Sequence, residues 1–335
     1  MTLRIGIVGA GSIGCYIGAA LQMGGAEVSF LGRRRMANEL AEYGLHISDF
    51  RGMKYSLPAS ALRFYTEFTD LPKLDFIIVT VKSGDTASVA EQLATVISDS
   101  VTIISLQNGV ANAAMLRQAM PSAVVLSGMI AFNVLQRGEG RFHAGTDGAV
   151  IVQAAQGLNK ISAALAASGT PFETHRDMRS VLWSKLLLNL NNPVNALSNL
   201  PLKTELSQRA YRRCLALLQT EALAAITAAE IPVQRLTAVP TSMLPHVLNL
   251  PDFLFTRLAQ AMLAMDPWAR SSMWEDLERG RKTEVEWLNG EVIALAREHG
   301  LNAPVNNRLK ALVHAAEQGG RRDFSGEELL ALISN

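Results

Sequence analysis

The chain has little that would tie it to an oxidising compartment, a nucleic acid or a bilayer. Its 335 residues include only two cysteines, Cys15 and Cys214. Both stand in stretches of helical pattern and neither has metal-ligand spacing. That excludes a disulfide framework, and it fits reduced, buried thiols in a cytoplasmic protein with no metal centre. The formal net charge is only +1, so no strong field of one sign recruits nucleic acid or an acidic surface. Beyond Leu21 no run is long and apolar enough to span a membrane. There is no internal repeat and no low-complexity segment.

What is present is organised around Ile5-Gly-Ile-Val-Gly-Ala-Gly-Ser-Ile-Gly14. Arg4 to Val8 reads as a short buried strand that runs into a glycine turn and an apolar helix. Gly9, Gly11 and Gly14 have the G-x-G-x-x-G spacing. The first glycine permits the tight turn, the second lets the backbone approach a pyrophosphate, and the third lets the helix pack on the strand. The stretch Gly9, Ala10, Gly11, Ser12, Ile13 and Gly14 is thus the expected cofactor cradle, with the pyrophosphate on the N–H groups of the helix start. A signal peptide is the competing reading of Ile5 to Leu21. It would want a basic leader and a glycine-poor apolar core, and neither is there.

The end of the second strand, Glu27 to Leu31, selects the cofactor. NAD binders usually place an acid about 20 residues past the glycines, on the ribose 2′-hydroxyl. Here Gly32-Arg33-Arg34-Arg35 follows instead. A guanidinium grips a 2′-phosphate that an acid would repel. The expected cofactor is therefore NADPH/NADP+, with Arg33 on the phosphate and Arg34 and Arg35 as solvated neighbours.

A helix is expected from Met36 to Tyr43, and short strands and loops from Gly44 to Arg63. Asp75 to Val81 and Val101 to Leu106 are β-branched runs of the kind buried in parallel sheets. Ligands sit outside the carboxyl ends of such strands. Lys82 and Asn108 are the polar residues at these two ends. Lys82 is placed for the cofactor ribose or the nicotinamide amide, and Asn108 for the nicotinamide side or the substrate. A solvated lysine and an Asn-Gly turn remain the alternatives. From Val124 to Thr174 strands are expected to extend the sheet with some antiparallel pairing, and His143 reads as structural. Past His175 to Arg179 the pattern turns helical. The expectation is an α/β Rossmann-type N-terminal domain over 1–176, for NADP, and an all-α C-terminal domain over 177–335, for substrate and dimerisation. The segment from Leu236 to Trp268, rich in proline and methionine, reads as a core connector, a lid or a subunit-packing face.

Two constellations in the helical part carry polar chemistry. In Trp183-Ser-Lys185-Leu-Leu-Leu-Asn189-Leu-Asn-Asn192-Pro193, a continuous helix puts Lys185, Asn189 and Asn192 on one face. Such a face is costly in an apolar helix unless the groups find partners. A ligand carboxylate or hydroxyl would supply them, and burial would lower the lysine pKa towards general-acid use. A plain exposed face is the alternative. Pro193 is expected to kink or end the helix near Asn189 to Asn192. In the second stretch Ser272 and Asp276 share one helical face. Gly280 weakens the helix, and Thr283-x-x-Glu286 looks like a capping box. Glu284 then falls in a first turn, where the helix dipole favours its anion.

Together with the glycine turn, these stretches resemble the ketopantoate reductase (2-dehydropantoate 2-reductase) family. The matching residues are Gly9-x-Gly11-x-x-Gly14, Val81-Lys82, Gln107-Asn108-Gly109, Trp183-x-Lys185-Leu-x-x-x-Asn189, Ser271-Ser272-Met-x-x-Asp276 and Thr283-Glu284-Val-Glu-x-Leu-Asn-Gly290. The resemblance implies NADPH-dependent reduction of a 2-keto acid at C2, in a cleft between a Rossmann and a helical domain, as a step of pantothenate and coenzyme A biosynthesis. It implies Lys185 as general acid and Glu284 as its electrostatic partner. It implies that Ser272, Asn189 and Asn192 hold the substrate carboxylate and hydroxyls, beside Asp276, and that Lys82 and Asn108 lie near the nicotinamide. One departure stands out: the family's second asparagine usually follows the first by four residues, whereas Asn192 follows Asn189 by three. Another 2-keto acid is the competing substrate, and a non-catalytic NADP(H) sensor the competing function. A small-molecule keto acid is the expected partner, with no nucleic acid and no membrane, and a homodimer through the helical domain fits its apolar character.

Overall fold

The computed structural model describes residues 2–98, 100–237, 239–258 and 268–334. The chain divides into two compact units, Met1–Met178 and Arg179–Asn335.

The first unit is built on an eight-stranded sheet. In chain order its elements begin with β1 (Arg4–Val8), α1 (Ser12–Met23), β2 (Glu27–Leu31), α2 (Arg34–Tyr43), β3 (Leu45–Asp49), β4 (Lys54–Leu57) and β5 (Arg63–Tyr65). Then come β6 (Phe76–Val79), α3 (Thr86–Val96), β7 (Thr102–Ser105), α4 (Asn112–Ala119), β8 (Val124–Ile130), β9 (Val134–Gly138) and β10 (Arg141–Ala144). The unit closes with β11 (Val150–Gln153), α5 (Asn159–Ala166) and β12 (Phe172–His175). The large sheet runs β12-β11-β8-β7-β6-β1-β2-β5. Its pairs are parallel except β11 against β8. β1 is central: Ile5 aligns with Val28 on one side and Phe76 on the other.

Side-chain alternation explains why these strands carry unbroken apolar runs. Ile5, Ile7, Phe30 and Ile78 pack on one face with Ile17 and Leu21 of α1 and Ile161 of α5. Val8, Leu31, Ile77, Val79 and Ile103 pack on the other face with Val89 and Leu93 of α3 and Leu116 of α4. Both faces are covered at β1, β2, β6 and β7, so these strands need no polar side. The chain leaves β1 towards β2 on one side and returns to β6 on the other. The ends of β1 and β6 therefore flank the point where strand order reverses, the place an open α/β sheet offers a ligand.

One expectation for this unit does not hold. β9 and β10 do not extend the large sheet. They form a second sheet with the β3–β4 hairpin, in the order β4-β3-β10-β9. Their burial alternates along the strand, as one-sided strands require, whereas the inner strands β1, β2, β6 and β7 of the large sheet are covered on both faces. Phe142 is the buried residue of β10, and His143 is bonded to Ser48 Oγ at 2.8 Å across the β3–β10 pair. His143 is a structural residue.

The second unit has only helical elements and loops among its described residues. They are α6 (Met178–Asn189, its first residue on the boundary), α7 (Asn191–Ser198), α8 (Leu202–Ser207), α9 (Arg209–Ala228), α10 (Leu244–Leu248) and α11 (Asp252–Leu258). α12 (Ser272–Glu278), α13 (Asn289–Glu298), α14 (Pro304–Glu317) and α15 (Gly326–Ser334) follow. The long α9 is its axis, with Leu215, Leu218, Ala222 and Ile226 buried along it. Its Arg212 is fully buried and donates to the carbonyls of Leu206, Leu248 and Leu250 and to Asp252. That guanidinium ties α10 and the start of α11 to α9, while Met243, Phe253 and Leu254 of the same 236–268 segment are exposed. Residues 238 and 259–267 of the segment lie outside the described residues. Cys15 and Cys214 are both buried and unbridged. Among the described residues no helix is long and apolar enough to cross a membrane, and no cluster of acidic, histidine or cysteine side chains is arranged to hold a metal.

Candidate active site

The glycine turn is built by close approach. Gly9 has φ +107°, and a Cβ there would lie 2.5 Å from the Val81 nitrogen. A Cβ on Gly14 would lie 2.2 Å from the Gly9 carbonyl oxygen. Both are packing requirements of the fold itself. Gly11 differs: a Cβ there would meet nothing within 4 Å. It opens α1 without a side-chain cap, so no side chain at the cap satisfies the first N–H groups of the helix. An uncapped helix start behind an open glycine fits a diphosphate. Thr80 closes the base of the turn by donating from Oγ1 to the Gly9 carbonyl at 2.7 Å.

Arg33 follows β2 and precedes the first residue of α2. It is 86 % exposed, and its Nη2 lies 2.9 Å from Asp85 Oδ2. Asp85 belongs to the loop after β6, so the guanidinium reaches across the end of β1. Arg34 and Arg35 are exposed as well. Lys82 and Asn108 are half-buried at the ends of β6 and β7. Gly109 has φ +85°, and the chain bends at Asn108.

A buried network joins these two loops, and the sequence reading missed it. Asn112, the first residue of α4, donates from Nδ2 to Ser83 Oγ at 3.1 Å and to the Asn108 carbonyl at 2.5 Å. Ser83 Oγ donates to the same carbonyl at 2.8 Å. Gln107 donates to the Val81 carbonyl and to Thr86 Oγ1, and Thr86 donates to Asn112 Oδ1. Lys82 and Asn108 are therefore borne on loops locked to each other. The only trace of this in the sequence is a set of amides and hydroxyls beside buried strands.

In the second unit Lys185, Asn189 and Asn192 are half-buried. They are not on one continuous helix: α6 stops at Asn189 and α7 starts at Asn191. Pro193 has no N–H to give the Asn189 carbonyl, four residues back. The interruption is mild, because Leu190 keeps right-handed dihedrals and its N–H still reaches the Leu186 carbonyl. Desolvation lowers the Lys185 pKa from its ordinary value.

Ser272 is exposed at the start of α12, while Asp276 is buried one turn on. Ser271, which the sequence reading left without a role, caps this helix by accepting the Trp274 N–H. Its Oγ also donates to the Asn192 carbonyl at 3.1 Å. Asn192 and Ser272 are thus carried on two segments bonded to each other.

Glu284 is buried where a short 3-10 turn, Val285–Trp287, begins. The expected capping box at Thr283 and Glu286 does not form. Thr283 Oγ1 still accepts the Val285 N–H at 3.3 Å, but the Thr283 N–H goes to Glu317 and not to Glu286, which pairs with Lys310 and His314. A carboxylate presented by α14 thus takes the place of Glu286 in the box, and regular helix starts only at Asn289.

The ketopantoate reductase PanE/ApbA family model matches residues 5–157, and the model of that family's C-terminal region matches residues 177–317. A 2-dehydropantoate 2-reductase from Archaeoglobus fulgidus is 29% identical over 94% of this chain and 98% of its own. The crystal structure of a PanE/ApbA family ketopantoate reductase from Ralstonia eutropha is similar with a TM-score of 0.80, at 25% identity, over 95% of this chain and 99% of that one. D-mandelate dehydrogenase in ternary complex with NADH and anilino(oxo)acetate shares the fold, with a TM-score of 0.79 at 19% identity over 95% and 99% of the two chains.

Proposed function

The chain belongs to the ketopantoate reductase family, a family of nicotinamide-dependent oxidoreductases, and from that premise we propose that it reduces 2-dehydropantoate to pantoate with NADPH. That reaction places it in pantothenate and coenzyme A biosynthesis. The observation that carries the chemistry is Lys185, a desolvated lysine with a lowered pKa on the helix that also bears Asn189.

Gly9 to Gly14 hold the diphosphate, Arg33 the 2′-phosphate, and Lys82 and Asn108 the ribose and nicotinamide end. Bound NADPH supplies the hydride for the C2 ketone. Lys185 stabilises the charge that grows on the ketone oxygen and gives it a proton. Desolvation makes the ammonium a better acid, so the transfer costs less than from a solvated lysine. Glu284 orients Lys185. Asn189, Asn192 and Ser272 bind the carboxylate and hydroxyls of the substrate, and Asp276 supports them from the buried side of α12.

The spacing of Asn189 and Asn192 favours one second reading, a different 2-keto acid. Loss of NADPH absorbance is the test, with 2-dehydropantoate beside a panel of other 2-keto acids. Turnover of 2-dehydropantoate well above the rest supports the reading. Turnover of another acid keeps the reaction and changes the substrate. NADPH binding with no turnover on the panel would favour a non-catalytic NADP(H) sensor.

A further inference from the structure

Glu205 of α8 is fully buried. No cation is paired with it among the described residues. One of its oxygens, Oε2, accepts from Asn195 Nδ2 at 2.8 Å and lies 3.4 Å from Asn191 Nδ2. The other, Oε1, is buried without a partner. Asn195 is fully buried as well, and its Oδ1 accepts the Ser271 N–H at 2.9 Å. Ser271 then bonds the Asn192 carbonyl. An unbroken chain of bonds runs from Glu205 through Asn195 to Ser271, which sits between the main chain of Asn192 and that of Ser272.

We propose that Glu205 is a positioning residue for the keto acid, acting as a neutral carboxylic acid that fixes Asn195 and, through Ser271, the segments bearing Asn192 and Ser272. The proposal rests on the reading that Asn192 and Ser272 hold the substrate.

The geometry favours the neutral form: the carboxyl is fully buried and its Oε1 has no donor among the described residues to hold a charge. A proton on Oε1 removes the charge and leaves every bond to Oε2 in place. Burial pushes the Glu205 carboxyl up to about 8, against the bonds from Asn195 and Asn191. The titratable groups facing it from α9 are Tyr211 and Cys214. Burial pushes each of them up to about 12, so both stay neutral and add no charge beside the carboxyl. The Arg212 guanidinium is taken up by the Leu206, Leu248 and Leu250 carbonyls and by Asp252. From α7 only the two neutral amides face the carboxyl. Ionisation of Glu205 would bury an unpaired charge beneath Ser271.

The test uses the full chain as wild type, Glu205→Gln and Glu205→Ala. Two quantities are read from pH 6 to 9.5: KM and kcat for the best keto acid of the panel, and exchange of the Ser271 amide hydrogen, corrected for its intrinsic pH dependence. Glu205→Ala should raise KM about tenfold, as expected for a lost buried hydrogen bond, with a much smaller change in kcat and faster Ser271 exchange. Glu205→Gln should restore the wild-type KM at neutral pH. In wild type KM should rise above pH 8, and in Glu205→Gln it should not. A Glu205→Ala variant with wild-type KM and wild-type Ser271 exchange would overturn the positioning role. An identical alkaline rise in wild type and Glu205→Gln would overturn the neutral acid, and this comparison stands even if Glu205→Ala does not fold. If the wild type turns over no keto acid, the functional reading has failed separately. The exchange data then decide: Ser271 protection lost above pH 8 in wild type but kept in Glu205→Gln supports the proposal, and equal loss in both refutes it.

Discussion

Thr283 gives both its main-chain N–H and its hydroxyl to one oxygen of Glu317, each at 2.7 Å. The other oxygen of Glu317 lies 3.0 Å from His314 Nδ1, and His314 Nε2 lies 2.8 Å from Glu286 Oε1. The turn that bears Glu284 is thus anchored to α14 by side chains on either side of it. A protonated imidazole donates from both nitrogens and fits both carboxylates at once.

This cluster makes stability depend on pH. Burial opposes the imidazolium, but the bonds from Glu317 and Glu286 outweigh it and raise the His314 pKa above its ordinary 6.5. Its contribution is fully present below 6.5 and is lost as pH rises through the raised value. Burial likewise opposes ionisation of Glu286 and Glu317, yet bonds to His314 hold both below their ordinary 4.5. Their contribution is lost only as pH falls through those lowered values. The cluster should therefore stabilise most between pH 4.5 and 6.5. In thermal melts, His314→Asn should cost about 1 kcal/mol near pH 6 and little near pH 9, the scale expected of a partly exposed pair.

The glycines of the turn should separate folding from binding. Gly14→Ala forces a Cβ against a backbone oxygen, and a destabilisation of about 3 kcal/mol is expected. Gly11→Ala meets open space in an extended conformation, so its melting temperature should stay at the wild-type value. The added methyl stands where the diphosphate is proposed to lie, so dinucleotide affinity should fall by about tenfold or more. Calorimetric melts and cofactor titration of both variants check the pair of outcomes.

Arg33 should discriminate between the two nicotinamide cofactors. Its pairing with Asp85 is exposed on both sides, so it is worth at most about 1 kcal/mol and yields readily to a phosphate. Arg33→Ala should weaken NADPH by about tenfold to a hundredfold, the value of a charge-assisted bond to a phosphate. NADH binding should not change. Fluorescence titration with both cofactors reads this directly, and equal losses for the two would remove Arg33 from the 2′-phosphate.

The first unit was legible where its signals are local. Glycine spacing and β-branched runs mark β1, β2, β6 and β7, because a strand covered on both faces has to be apolar throughout. The partners of β9 and β10 were not legible. A one-sided strand pairs with any compatible edge, and the edge it takes, β3, is remote in sequence. The same distance hid the acceptor for Thr283, since Glu317 lies on another helix. Pro193 announced a disturbance, but the break falls at Leu190, before the proline, because the lost bond belongs to the preceding turn. Asn195 and Glu205 gave no signal, because polar residues in helical pattern look solvated until the packing that buries them is known.

The most direct test of the account is the rate of NADPH consumption at saturating 2-dehydropantoate by wild type and Lys185→Ala, with NADPH affinity measured alongside. Loss of a positioned general acid should lower kcat by about a hundredfold to ten-thousandfold, with NADPH affinity nearly unchanged. In wild type kcat should fall as pH rises through the lysine pKa, which burial sets below the ordinary 10.5. A Lys185→Ala enzyme that keeps close to the wild-type kcat would contradict the account.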